Sequence, residues 1–213
     1  MELNRLVPRA SLKIETAVDQ VTGLIDDVAS RGEEALVALA QKFDGFDPRP
    51  VRVSEAELEE ALANLSDKLR AALLASIENV RQVSLDNLPK TTTTSLTAGG
   101  KVHQRWMPVD SVGLYVPGGK AVYPSSVVMN VVPAQVAGVK RLVIATPGQK
   151  DYAGRPHPTV LAAAALLGVT EVYNIGGPAA IAALAHGVAS IALEPVTMIT
   201  GPVSYTHLRA HET

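Results

Sequence analysis

The stretch SVGLYVPGGKAVYPSSVVMNVVPAQVAGVKRLVIAT, residues 111–146, decides the fold. Ser111 to Val116 is an apolar run of strand length, and Pro117-Gly118-Gly119 turns the chain at its end. Ser125 to Val139 has helix length and is rich in Val and Ala, and Leu142 to Thr146 returns to strand character. Strand, crossover and strand in this order predict a βαβ unit in a parallel sheet covered by helices. The alternation continues with a helix from Thr159 to Leu167, a strand from Glu171 to Ile175 and a helix from Pro178 to Gly187.

Upstream the period changes. From Ile14 to Phe43 apolar residues recur at helical spacing, first Val18, Val21, Ile25 and Val28, then Leu36, Leu39, Ala40 and Phe43. Arg31-Gly32 breaks this run into two helices, and Asp44-Gly45 with Pro48 and Pro50 ends the second. Ser54 and Glu57 have the spacing of a capping box, so a helix should begin at Glu55. Ser66 opens another helix, running to about Asn87 with a buried stripe of Leu69, Leu73, Ile77, Val80 and Val83. The polar run from Thr91 to Gly100 reads as a loop and as the boundary between two regions. Residues 1–98 are expected to form a helical region and residues 99–202 an α/β domain.

Composition agrees with an α/β class. Hydrophobic residues make up 47% of the 213 and aromatics only 4%. Small aliphatic side chains suit helices packed closely on a sheet better than a β-sandwich with bulky fillers. A formal net charge of −2, with both signs mixed along the chain, offers no basic face for nucleic acid. Apolar runs are interrupted well short of the roughly 20 residues a membrane span needs. Met1 to Ala10 lacks the apolar core of a secretory signal, and without cysteine there is no disulfide framework, so a cytoplasmic location is expected.

Two strand ends carry glycine pairs. After Ser111 to Val116, Pro117-Gly118-Gly119 leaves the backbone open at the sheet edge where α/β proteins bind ligands, with Tyr115 at the rim. A tight structural turn explains the same residues equally well. At Ile175-Gly176-Gly177-Pro178 a strand passes into a helix whose first amides can hold an anion. Neither junction has the spacing of a dinucleotide fingerprint. Lys120 is read as a surface lysine beside the first pair. His103, His157 and His186 stand far apart, without ligand-spaced partners, and are expected to be structural or solvated.

The last residues, Val203 to Thr213, read VSYTHLRAHET and match the in-frame translation of a transposase mosaic-end adapter. We therefore read 203–213 as a non-native tail. His207, His211 and Glu212 have the spacing of a metal site, but the adapter reading accounts for all three.

The blocks RGEEALVALAQKFDG, WMPVDSVGLYVPGGKAVYPSSVVMNVVPAQVAGV, EVYNIGGPAAIAALAHG and MITGP, in this order, closely resemble the amino-terminal half of histidinol dehydrogenase. The resemblance implies incomplete Rossmann-like domains, a homodimer, and zinc-dependent oxidation of L-histidinol to L-histidine through an aldehyde, with two NAD+ as hydride acceptors. It implies that Tyr115 contacts NAD, with Gly118 and Gly119 forming the adjoining turn. Two family positions depart from the pattern: Ala179 replaces a glutamine that binds NAD, and the asparagine expected after Gly201-Pro202 is missing. The zinc ligands and a Glu-His pair for proton transfer belong to the family's second half, so none is expected here, and the chain by itself is expected to be inactive. A related NAD-dependent polyol dehydrogenase and a non-catalytic α/β binding or dimerisation module are the competing readings.

Overall fold

A computed structural model describes residues 14–118 and 122–201. The chain opens with four helices: α1 (Ile14–Arg31), α2 (Glu33–Phe43), α3 (Glu55–Ala63) and α4 (Asp67–Asp86). Each start has a local cause. Gly32, at φ 56°, makes the sharp break between α1 and α2. Ser54 caps α3: its Oγ accepts the N–H of Glu57 while the Glu57 carboxylate accepts the N–H of Ser54, the reciprocal box expected from spacing. Ser66 caps α4 through the N–H of Leu69.

The run from Thr91 to Gly100 is not a simple loop. Thr92–Ser95 (β1) pairs antiparallel with Lys101–Gln104 (β2), and all eight residues are exposed. Thr has the β-branched shape that strands favour, and this local preference decides the conformation where no burial pattern exists to signal it. The turn of this hairpin uses left-handed Ala98 and Gly99, closed by the Leu96 N–H donating to the Gly100 carbonyl at 2.8 Å.

A parallel four-stranded sheet follows, from β3 (Ser111–Tyr115), β4 (Arg141–Thr146), β5 (Glu171–Asn174) and β6 (Met198–Thr200), in the order β5-β4-β3-β6. The connecting helices are α5 (Pro124–Ala137), α6 (Pro158–Leu166) and α7 (Gly177–His186). Chain progression runs from β3 outward to β5 with α5 and α6 on one face. Then α7 crosses on the other face and delivers β6 to the opposite side of β3. This doubly wound arrangement is the Rossmann-like α/β fold expected, with β6 an added strand too short to read from periodicity.

Both faces of the sheet are covered. Val112 and Leu114 of β3, Ile144 of β4 and Val172 of β5 pack with α3, α4, α5 and α6. Val143 and Ala145 of β4 and Tyr173 of β5 pack with α1, α2 and α7. Fully buried Ala162, Ala163 and Ala164 on α6, and Ala180 and Ala183 on α7, explain the scarcity of aromatics: small side chains let the helices lie close to the strands. The helical front therefore shares its cores with the sheet. Val51 to Val53 also lies along the outer edge of β5, with the Val53 N–H donating to the Val172 carbonyl at 2.8 Å and the Asn174 N–H to the Val51 carbonyl at 2.7 Å.

Three stripe positions differ from expectation. Val18, Phe43 and Val83 are 51%, 63% and 59% exposed. Phe43 is the last residue of α2 and Val83 lies in the last turn of α4, where it borders an open cleft against Met129, Pro133 and Val136 of α5.

Candidate functional site

In a doubly wound sheet the strand order reverses at one point, and a crevice opens beyond the carboxyl ends of the two strands there. Here those strands are β3 and β6. The turns that leave β3, β4 and β5 converge at this edge as Pro117-Gly118, Pro147-Gly148 and Gly176-Gly177-Pro178, and Gly201 follows β6.

Tyr115, the last residue of β3, stands half-buried at the carboxyl end of the strand. Its hydroxyl accepts the N–H of Gly177 at 3.1 Å, so the first amide of α7 is already partnered within the protein. Gly201 lies against the same residue: a Cβ there would stand 3.1 Å from the Tyr115 carbonyl oxygen and 3.2 Å from its Cβ. Gly118 is at the rim too, but a side chain at this position would meet Pro147. Gly119 and Lys120 lie outside the described residues, as do His207, His211 and Glu212 of the tail. Ala179, in the first turn of α7, is buried and offers the crevice no polar group.

Next to the α7 start, between it and helices α1 and α2, is a cleft of about 500 Å³ walled by Leu24, Leu36, Leu39 and Ile175. Lys42 and Asp44 stand among the residues lining it. Burial pushes the Asp44 carboxyl above its ordinary value, and the Lys150 ammonium partly opposes that shift. The cleft is bounded by α1, α2 and the β5–α7 junction and includes no residue of β3 or β6.

Some residues that shape the site give no sequence signal of ligand chemistry. Asn174, 2% exposed, donates through Nδ2 to the carbonyls of Pro48 at 3.0 Å and Gly154 at 2.8 Å, tying the β5 end to two distant loops. A lone polar residue closing an apolar strand was the available signal. Arg155 pins the same region: Nε lies 2.8 Å from Glu57 Oε1, and Nη1 2.6 Å from the Pro50 carbonyl.

Each of the three described histidines has a local place in the fold or stands exposed. His103 meets the Thr93 hydroxyl at 2.9 Å on the exposed hairpin, His157 caps α6, and His186 is exposed at the end of α7. Among the described residues no group of three or more His, Cys, Asp or Glu stands together in a way that could hold a metal ion.

Against known proteins, a family model described as histidinol dehydrogenase matches residues 7–208, ending inside the stretch read as translated adapter. Curated relatives named histidinol dehydrogenase include that of Thermobifida fusca, 54% identical over 196 residues, and that of Mycolicibacterium smegmatis, 52% identical over 204 residues. These alignments cover 92% and 94% of this chain but 44% and 46% of the relatives. The chain thus spans about half the length of the curated relatives it matches. The crystal structure of histidinol dehydrogenase from Elizabethkingia anophelis superimposes with a TM-score of 0.85 at 29% identity, over 98% of this chain and 47% of that one.

Proposed function

The chain belongs to the histidinol dehydrogenase family, and from that premise we propose that it forms the nucleotide side of an enzyme oxidising L-histidinol to L-histidine through the aldehyde, with NAD+. The observation that carries this reading is the crevice at the strand-order reversal, with Tyr115 on its rim and an apolar cleft beside it. NAD+, when bound, supplies a hydride acceptor. The residues here fit it in part: the Tyr115 ring can lie against a flat heterocycle, and the turn that begins at Gly118 can line the adjoining wall. Their part is to bind and orient. No described residue near the crevice pairs a base with a donor in a way that would move the alcohol proton.

Zinc does not fit the described residues, and none of its chemistry is assigned to them. The ligands and the proton-transfer groups are proposed to belong to the part of the family's length that this chain does not span, so the chain alone is inactive. A homodimer and a cytoplasmic setting belong to the same proposal, and no described helix is long and apolar enough to cross a membrane. A second reading, a non-catalytic α/β module, is favoured by one observation: the Tyr115 hydroxyl and Gly118 are both engaged inside the protein.

Titrating NAD+ into the chain by calorimetry separates the two. The nucleotide reading expects saturable binding that Tyr115→Ala weakens about tenfold, the size of one lost stacking contact. No saturable binding would favour the module. Incubation with L-histidinol, NAD+ and zinc should give no NADH above background, and a steady rate would overturn the assignment of catalysis to absent residues.

A further inference from the structure

We propose that Pro147 is the positioning residue of the crevice: its ring, wedged between the turns after β3 and β5, holds Tyr115 at the start of α7. A Cβ built on Gly118 would stand 2.7 Å from Pro147 Cγ and 3.3 Å from its Cδ. One built on Gly176 would stand 2.7 Å from Pro147 Cβ. Carbon atoms in contact settle at about 3.5 to 4.0 Å, so the proline ring already fills the room beside both glycines. The glycines are needed where the ring is.

Either side of this wedge carries one end of a single hydrogen bond. Tyr115 lies just before the Gly118 turn and Gly177 just after Gly176, and the Tyr115 hydroxyl accepts the Gly177 N–H at 3.1 Å. The wedge itself is fixed by the sheet. Val116 N–H donates to the Ala145 carbonyl at 2.9 Å, and Ile175 N–H donates to the Thr146 carbonyl at 3.1 Å, so both strands flanking β4 are tied to the residues just before Pro147. With the strands held in this way, the ring sets how far apart the two turns stand, and hence whether tyrosine and amide meet. Sequence alone left two reasons for Gly118, close approach of a ligand and a tight structural turn. The geometry gives it a different reason, contact with Pro147.

The inference rests on the nucleotide reading only for the use made of the Tyr115 contact. Its test is a set of double-mutant cycles on the 15N-labelled chain, using Gly118→Ala, Gly176→Ala and Pro147→Ala, read by urea midpoint and by the Gly177 amide resonance. Each glycine variant alone should lower stability and move the Gly177 resonance. Pro147→Ala removes Cγ and Cδ, so it should relieve Gly118→Ala, with a coupling of about tenfold in the folding equilibrium. It keeps Cβ, so it should give Gly176→Ala almost no relief. If a glycine variant does not fold, Pro147→Ala alone, which introduces no clash, should still move the Gly177 resonance toward that of an amide without this partner. Equal relief of both glycines, relief of neither, or a Gly177 resonance unmoved by Pro147→Ala would overturn the proposal. Should the cycles behave as expected while the unsubstituted chain shows no saturable NAD+ binding, the nucleotide reading falls and the role of Pro147 in setting the crevice remains.

Discussion

His157 shows what a single side chain does at the start of a helix. Its Nδ1 accepts the Thr159 N–H at 3.1 Å, which requires that nitrogen to be unprotonated, so the ring proton sits on Nε2, 3.0 Å from the Tyr152 hydroxyl. Burial holds the imidazole below its ordinary value of 6.5, and the positive end of α6 acts in the same direction. A pKa depressed by folding means that the unfolded chain takes up the proton more readily. The stability His157 contributes is therefore whole above about 6.5 and is lost as pH falls through the lower folded value. Urea midpoints measured from about pH 8 to about pH 5 should fall more steeply for the unsubstituted chain than for His157→Asn, which caps without titrating. Parallel curves would show that the imidazole does not report on folding. From sequence, this histidine was legible as structural, since no ligand-spaced partner lies near it, but its role as a cap was not. The place of Tyr115 at the end of β3 was legible because it closes an apolar run. Pro147 was not, because proline after a strand is ordinary punctuation until the two glycines it touches are brought beside it.

Elements of the chain were legible in proportion to how much of their pattern burial enforces. The helices and β3, β4 and β5 each bury one or both faces, and their periodicity or apolar runs predict them to within a few residues. The β1-β2 hairpin and β6 are three or four residues long and are held by backbone pairing that leaves little trace in side-chain pattern; the Val51 to Val53 edge does alternate, with both valines buried and Arg52 exposed, but three residues are too few to set it apart in the sequence. Caps are the exception among short features, because their chemistry is local. At α3 the Ser54 hydroxyl and the Glu57 carboxylate satisfy each other's backbone N–H, and α3 is only 9 residues long, so its start is a large part of its stability. Ser54→Ala should cost about 1 kcal/mol in urea unfolding with no change in the denaturant slope. A cost near zero would mean that the Glu57 carboxylate alone suffices to hold the helix start.

Glu57 also reaches beyond its own helix, and this connects the caps to the whole molecule. Burial pushes its carboxyl up, but the Ser54 N–H and hydroxyl and the Arg155 guanidinium outweigh that and hold it below its ordinary value of 4.5. Arg155 lies in the loop before α6 and joins α3 to the carbonyls of Pro48 and Pro50, while α3 itself packs on α6. The change of sequence character near residue 98 is therefore not matched by a gap in the structure: one core runs from Leu58 and Leu73 in the helical front to Val112 and Ile144 in the sheet. How the elements pair across that point could not be read from periodicity, which carries no information about partners. Since the ion pair is partly exposed, Arg155→Ala should cost about 1 to 2 kcal/mol, most of it from leaving the carboxylate and the carbonyls without their donor. Shared packing makes that loss global, so helix content by circular dichroism and tyrosine fluorescence should fall in one coincident transition in both the unsubstituted chain and the variant. The pH dependence gives an independent check. A carboxyl depressed by folding contributes stability above 4.5 that is lost as pH falls through its lower folded value, and without Arg155 that acid loss should shrink. Separate transitions for the two probes would mean that the front and the sheet fold independently, and an unchanged acid slope would mean that Arg155 does not set the charge state of Glu57.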